Sequence, residues 1–188
     1  LNMADNILDL YNATKTYAGV PAIEDVNFSL ERGEVHSIVG ENGAGKSTLT
    51  KVMAGVVTLN GGKMLLEGEE INPQTPVDSR NLGIAMVFQE NSLVPTMTAA
   101  QNLFLGQEKT FNRIRRINIE AQQFFQSLQF DVDPVTVVSL LGAAKKQMIE
   151  IARAVFNKAK VIIFDEPTAS LTPEEKLHFF TLIKQLKE

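Results

Sequence analysis

Residues 40–48 read Gly40-Glu41-Asn42-Gly43-Ala44-Gly45-Lys46-Ser47-Thr48, which is G-x-x-x-x-G-K-S. A short apolar stretch, Val35-His36-Ser37-Ile38-Val39, stands before it. Apolar residues at helical spacing, Leu49, Val52 and Met53, follow it. Strand, glycine loop and helix in that order form the context in which this spacing cradles polyphosphate. Glycines let successive backbone N–H groups curl inward. The helix start adds partial positive charge. On this reading Gly40, Asn42, Gly43, Ala44, Gly45 and Thr48 shape the cradle. Lys46 reaches the β- and γ-phosphates, and the Ser47 hydroxyl binds Mg²⁺. A glycine turn with a solvated lysine would need neither these flanks nor the Lys-Ser pair. The chain is expected to build an α/β core and to bind a nucleoside triphosphate.

The bulk properties narrow the partners. The sequence has 188 residues, about one domain's worth, and 44% are apolar, enough for a sizeable core. A net charge of −4 argues against nucleic acid. No cysteine is present, which excludes disulfides and thiolate metal sites. The first residues lack a basic region followed by a long apolar stretch, so no signal peptide is expected there. Apolar runs are too short for a membrane span, so any membrane role is expected to come through a partner.

Residues 7–30 alternate as β-structure does, most clearly at Val26, Phe28 and Leu30. Gly33 predicts a turn before a core strand at 35–39, on which His36 is a structural residue. The helix after the glycine loop is expected to end near Gly55. Gly61, Gly62 and Gly68 punctuate a hairpin around Met64-Leu65-Leu66. Pro73 and Pro76 open a polar connection. Ile84-Ala85-Met86-Val87-Phe88 reads as a strand ending at Gln89. Helices are expected at 98–105, 117–129 and 143–157, with Phe124, Phe125, Leu128, Ile151, Val155 and Phe156 at core-like spacings. Val161-Ile162-Ile163-Phe164 reads as a buried parallel strand. A last helix spans Pro173 to Lys187, with His178 a surface or packing residue. The division expected is a nucleotide-binding core with a β subdomain (1–88 and 147–188) and a mostly helical subdomain (89–146).

The apolar run leads straight into Asp165-Glu166. A buried strand ending in two carboxylates presents both at the sheet's carboxyl edge, where ligands of α/β sheets bind. Asp165 is expected to hold Mg²⁺, mostly through water, and Glu166 to polarise the attacking water. Phosphoryl transfer relies on positioning and charge neutralisation.

Asp165-Glu166-Pro167-Thr168-Ala169-Ser170-Leu171 resembles the Walker B segment and D-loop of ATP-binding cassette (ABC) ATPases. Phe88-Gln89-Glu90 resembles their Q-loop, which gives Gln89 a catalytic and metal-coordinating role. Tyr17, 23 residues before Gly40, stands where the family places an aromatic stacked on adenine. The resemblance covers essentially the whole chain. It implies a P-loop core of ABC type with an N-terminal antiparallel β subdomain and a helical insertion. The stretches from Met86 to Pro95, from Asn102 to Gly106 and from Gln147 to Ala154 are similar to bacterial monosaccharide importers, and to their N-terminal cassette. The resemblance therefore implies an ATPase that couples ATP binding and hydrolysis to sugar import at the cytoplasmic face of the bacterial inner membrane. The partners it implies are a second cassette fused in the same polypeptide, a transmembrane permease and, indirectly, a sugar-binding protein.

Two departures stand out. The family's signature is Leu-Ser-Gly-Gly-Gln, and the matching stretch is Leu141-Gly142-Ala143-Ala144-Lys145. In the family this motif contacts the γ-phosphate held by the opposite cassette. Gly142 replaces the serine and Lys145 the final glutamine. A further strand with a switch histidine also follows the last helix in the family. Neither His36 nor His178 stands there, so the cassette is expected to be C-terminally incomplete and the chain alone nearly inactive. The alternative is a degenerate cassette that binds ATP as a regulatory or structural partner. A soluble ABC ATPase of DNA repair or translation is disfavoured, since no coiled-coil insertion or basic stripe is present.

Overall fold

The computed structural model describes residues 6–87, 92–106, 114–165, 167 and 171–187. The chain divides into two compact units. One comprises Leu1–Ala85, Lys160–Ile163 and Leu177–Glu188; the other comprises Met86–Ala159 and Phe164–Lys176.

The first unit is built on an antiparallel sheet. Strands β1 (Asn6–Tyr17) and β2 (Val20–Glu31) form a hairpin through Ala18 and Gly19. Strand β3 (Gly61–Leu66) pairs with the other side of β1, and β4 (Glu69–Ile71) with β3, giving the order β2-β1-β3-β4. Alternate residues of β1 and β3 face inward, so Leu8, Leu10, Met64 and Leu66 are buried. Helix α1 (Lys46–Met53) adds Leu49, Val52 and Met53 to the buried set. Gly61 and Gly62 lie within β3 and do not flank it, while Gly68 occupies the β3–β4 turn as expected. The Glu67 carboxylate receives both Arg32 and Lys160, tying three distant stretches together at the surface.

Two expectations fail in this unit. Residues 35–39 form no strand: Val35 is 57% and Val39 90% exposed. Alternation alone does not make a strand, because its backbone groups need a ladder partner; among the described residues β5 (Ile84–Val87) and β6 (Val161–Phe164) pair with each other instead. His36 is accordingly no core strand residue. It is exposed, bonded to Glu34 at 2.9 Å and set edge-on to Phe28. The side chain of His178 lies outside the described residues. The connection opened by Pro73 and Pro76 contains a helix, α2 (Pro76–Leu82). Thr75 caps it reciprocally with Asp78, and Pro76 takes the first turn.

Strands β5 and β6 run in parallel. The N–H of Val161 donates to Gly83 O (3.1 Å), and that of Asp165 to Val87 O (3.3 Å), so both advance together. The division between the units falls inside these strands.

The second unit is helical: α3 (Ala99–Leu103), α4 (Ile114–Ser127) and α5 (Ala143–Phe156). Leu103, Phe125, Ile149 and Ile151 are fully buried, while Phe124 and Phe156 are half-buried and stack edge-on. Asn102, wholly buried, receives the N–H of Val94 (2.7 Å) and donates to Val94 O and Thr98 O. It fixes the loop ahead of α3. Residues 95–100 are then laced to 134–139 by backbone bonds, which positions the approach to α5. Helix α6 (Pro173–Lys187) starts at a reciprocal cap between Thr172 and Glu175. Among the described residues no helix is long and apolar enough to cross a membrane.

Candidate functional site

The glycine loop seats itself on β2. Gly45 has φ +88°, and a Cβ there would lie 2.6 Å from Ala22 O and from Ile23 Cγ2. Only glycine meets both demands without displacement. The Ala44 N–H donates to Glu41 O (3.1 Å), closing the turn, and Leu49 N–H to Gly45 O (2.9 Å), starting α1. Lys46, Ser47 and Thr48 thus form the first turn of α1, whose N–H groups have no carbonyl of their own helix to meet. Ser47 is exposed at that end. The Lys46 ammonium folds back over the loop and donates to Gly40 O and Glu41 O, each at 2.8 Å. Unspent helix N–H groups, a cation and an exposed hydroxyl within one loop are the donor set a polyphosphate requires. Mg²⁺ takes hard oxygens, and the Ser47 hydroxyl and the Asp165 carboxylate are of that kind.

Tyr17 ends β1, 46% exposed, with the Lys15 ammonium 5.5 Å from its ring centroid.

In the second unit Asp165 follows β6 directly and is half-buried. Gln89 and Glu166 lie outside the described residues, as do Phe88, Glu90 and 168–170. The signature-like stretch forms a helix start. Leu141 closes a 3₁₀ turn (Val138–Leu140). Gly142 is the exposed N-cap of α5, with φ −68° and ψ 166°, and has no side chain to cap with. Ala143 and Ala144 fill the first turn. Lys145 is bonded to Asp131 at 2.9 Å, so its charge is shared with a carboxylate of its own unit.

A buried cluster on α5 is absent from the sequence-based expectations. Glu150, 5% exposed, accepts from the N–H and the hydroxyl of Ser92 at 2.8 and 2.9 Å. Burial pushes its carboxyl above the usual range, against the opposing pull of the Ser92 bonds and the Arg153 charge. A charge between Ile149 and Ile151 on an apolar helix face is the signal the sequence offers for it.

Known proteins are similar to this chain in sequence and in fold. A family model described as "ABC transporter" matches residues 23–169. A putative ribose/galactose/methyl galactoside import ATP-binding protein of Geobacillus kaustophilus is 40% identical over 98% of this chain and 38% of its own length. A ribose import ATP-binding protein of Streptomyces avermitilis is 44% identical over 100% of this chain and 37% of its own. The chain thus spans well under half the length of these relatives. A crystal structure of the ADP conformation of an ATP-binding cassette of an ABC transporter covers 97% of this chain and 77% of its own, with TM-score 0.84 and 26% identity. The family model spans most of the chain and the cassette structure matches its fold, so the chain belongs to the ABC transporter family, with the fold of its ATP-binding cassette.

Proposed function

We propose that this chain is the ATP-binding part of a sugar importer's energy-coupling subunit. The observation that carries the reading is the loop of residues 40–48, with Lys46 over its mouth and the first turn of α1 behind it. Lys46 takes the β- and γ-phosphates, Ser47 and Asp165 supply oxygens to Mg²⁺, and Tyr17 stacks on the adenine. Gln89 and Glu166 orient and polarise the attacking water. Gly142 and the first turn of α5 meet the nucleotide of a second cassette, fused in the same polypeptide. Closure of the two cassettes drives a membrane permease, at the cytoplasmic face, that receives sugar from a binding protein. A pentose or hexose is the class of cargo, from the names of the import proteins it resembles.

Calorimetric titration tests the first step. Lys46→Ala is expected to weaken MgATP at least tenfold, about 1.4 kcal/mol. Equal affinities would remove the loop from nucleotide binding. In the full-length protein, Glu166→Gln is expected to keep binding and lose turnover.

A second reading, a cassette that binds ATP with little turnover, is favoured by one feature. Gly142 offers no hydroxyl and Lys145 is already paired with Asp131. Sustained ATP hydrolysis by the full-length protein would reject it.

A further inference from the structure

One helix of the second unit holds more than its own core. Both Ser92 donors reach the same oxygen of Glu150, Oε1. From the next turn of α5, Arg153 donates to the Ser92 carbonyl at 3.4 Å and to its hydroxyl. Ser92 is therefore gripped at its N–H, its C=O and its side chain by two residues three apart. Such spacing places them on one helix face. A grip on the main chain fixes where the chain runs, which a purely apolar contact would not do. One turn earlier on the same helix, Gln147 Nε2 donates to the carbonyl of Pro167 at 3.0 Å. The helix begins at Gly142.

Three stretches of sequence thus hang from α5. They are the stretch that begins at Ser92; Pro167; and the signature-like start itself. Burying the Glu150 carboxylate costs stability, and an isosteric apolar residue would avoid that cost. A carboxylate at this buried place is accounted for by what it positions.

We propose that Glu150 is a positioning residue for ATP hydrolysis, which through Ser92 makes the stretch from Ser92 to Val94 move as one piece with the helix headed by Gly142. This rests on the reading of the chain as an ATP-hydrolysing cassette. Helices that carry switching motions shift by an ångström or two against their neighbours. A segment clamped to α5 follows such a shift, and a segment released from it does not. Glu150 acts through Ser92 and touches no reacting atom.

The test uses the full-length protein assembled with its permease and four variants, Glu150→Ala, Glu150→Gln, Ser92→Ala and the double variant of Ser92→Ala with Glu150→Ala. Glutamine keeps an acceptor oxygen for both Ser92 donors, and alanine does not. Glu150→Ala is expected to lower kcat about tenfold with KM for MgATP within about twofold, and Glu150→Gln to restore kcat to within about threefold of wild type. Ser92→Ala combined with Glu150→Ala is expected to cost less than the sum of the two single changes, since the Ser92 hydroxyl and Glu150 share a bond. Amide hydrogen exchange supplies a readout independent of turnover. Amides at 92–94 are expected to exchange about tenfold faster in Glu150→Ala, with the β1 amides unchanged. Wild-type kcat in Glu150→Ala, equal losses in the alanine and glutamine variants, or an exchange increase spread evenly over the chain would each overturn the proposal. A wild-type protein without ATP turnover would instead sink the proposed function, and the exchange at 92–94 would still decide the clamp.

Discussion

Replacing Gly43 and Gly45 by alanine, one at a time, separates two physical effects that a single glycine substitution mixes. Both residues sit at nearly the same backbone angle, φ +86° and +88°. Both substitutions therefore incur the left-handed penalty of an L-residue, roughly 1–2 kcal/mol. At Gly43 a Cβ meets nothing within 4 Å, so the penalty stands alone. At Gly45 the Cβ would fall 2.6 Å from Ala22 O and from Ile23 Cγ2, and Ile23 is buried on β2. Neither neighbour is the free end of a flexible side chain, so loop and strand must part. Overpacking of that kind costs about 1–3 kcal/mol more. Gly45→Ala is thus expected to lose about 2–5 kcal/mol and Gly43→Ala about 1–2 kcal/mol. Urea unfolding of the two variants reads the difference. With a slope near 2 kcal/mol per molar, their midpoints should stand apart by about 0.5–1.5 M. Coincident midpoints would show that the loop does not rest on β2 and would refute the steric argument.

Two further outcomes follow from the second unit. Gly142→Ser places a capping oxygen at the start of α5, where φ and ψ already suit an N-cap; thermal unfolding should register only a few tenths of a kcal/mol. If position 142 meets the nucleotide of a second cassette, as proposed, calorimetry should find MgATP affinity of this chain unchanged while ATPase assays find turnover of the assembled transporter raised. For Glu150 the sign is set by its raised pKa. The folded protein keeps this proton above the ordinary value of 4.5, so between that value and the raised one the folded state binds more protons and unfolding free energy falls as pH rises. Glu150→Gln should therefore gain stability relative to wild type as pH climbs through that window, as denaturant titrations at successive pH values would show; a constant difference would contradict the shift.

The sequence is most readable where a structure is local. Gly40 to Thr48 carry their chemistry within one loop, and the β1–β2 hairpin declares itself by alternation over adjacent strands. Residues 35–39 mislead for the complementary reason: a strand is a relation between two segments, and Val35 and Val39 carry no mark of whether a partner lies beside them. Helix α2 hides because so short a helix has little room for an apolar period, although Thr75-Pro76-Val77-Asp78 spells its cap. The bond between Glu150 and Ser92 joins residues 58 apart, and nothing in either neighbourhood names the other. Lys145 stands in the sequence as a charge replacing the signature's glutamine, and Asp131, 14 residues away, engages it instead.

The first unit is written in three instalments, with the main stretch of the second, Met86–Ala159, between the first two. Order of synthesis therefore matters to it. The β1–β2 hairpin has both strands in hand early and can form within microseconds once made. Strand β5 must wait for β6, which emerges only after α3, α4 and α5. Until then the apolar side chain of Ile84 and the open edge of β5 are surfaces on which a growing chain can go astray. In the complete chain the same bias persists through loop closure, so pulse-labelled hydrogen exchange during refolding should find β1 amides protected before those of β6, and simultaneous protection would dispute it. For a cassette whose ligand loop lies in the first instalment, the nucleotide cradle has its backbone long before the carboxylate of Asp165 has been made.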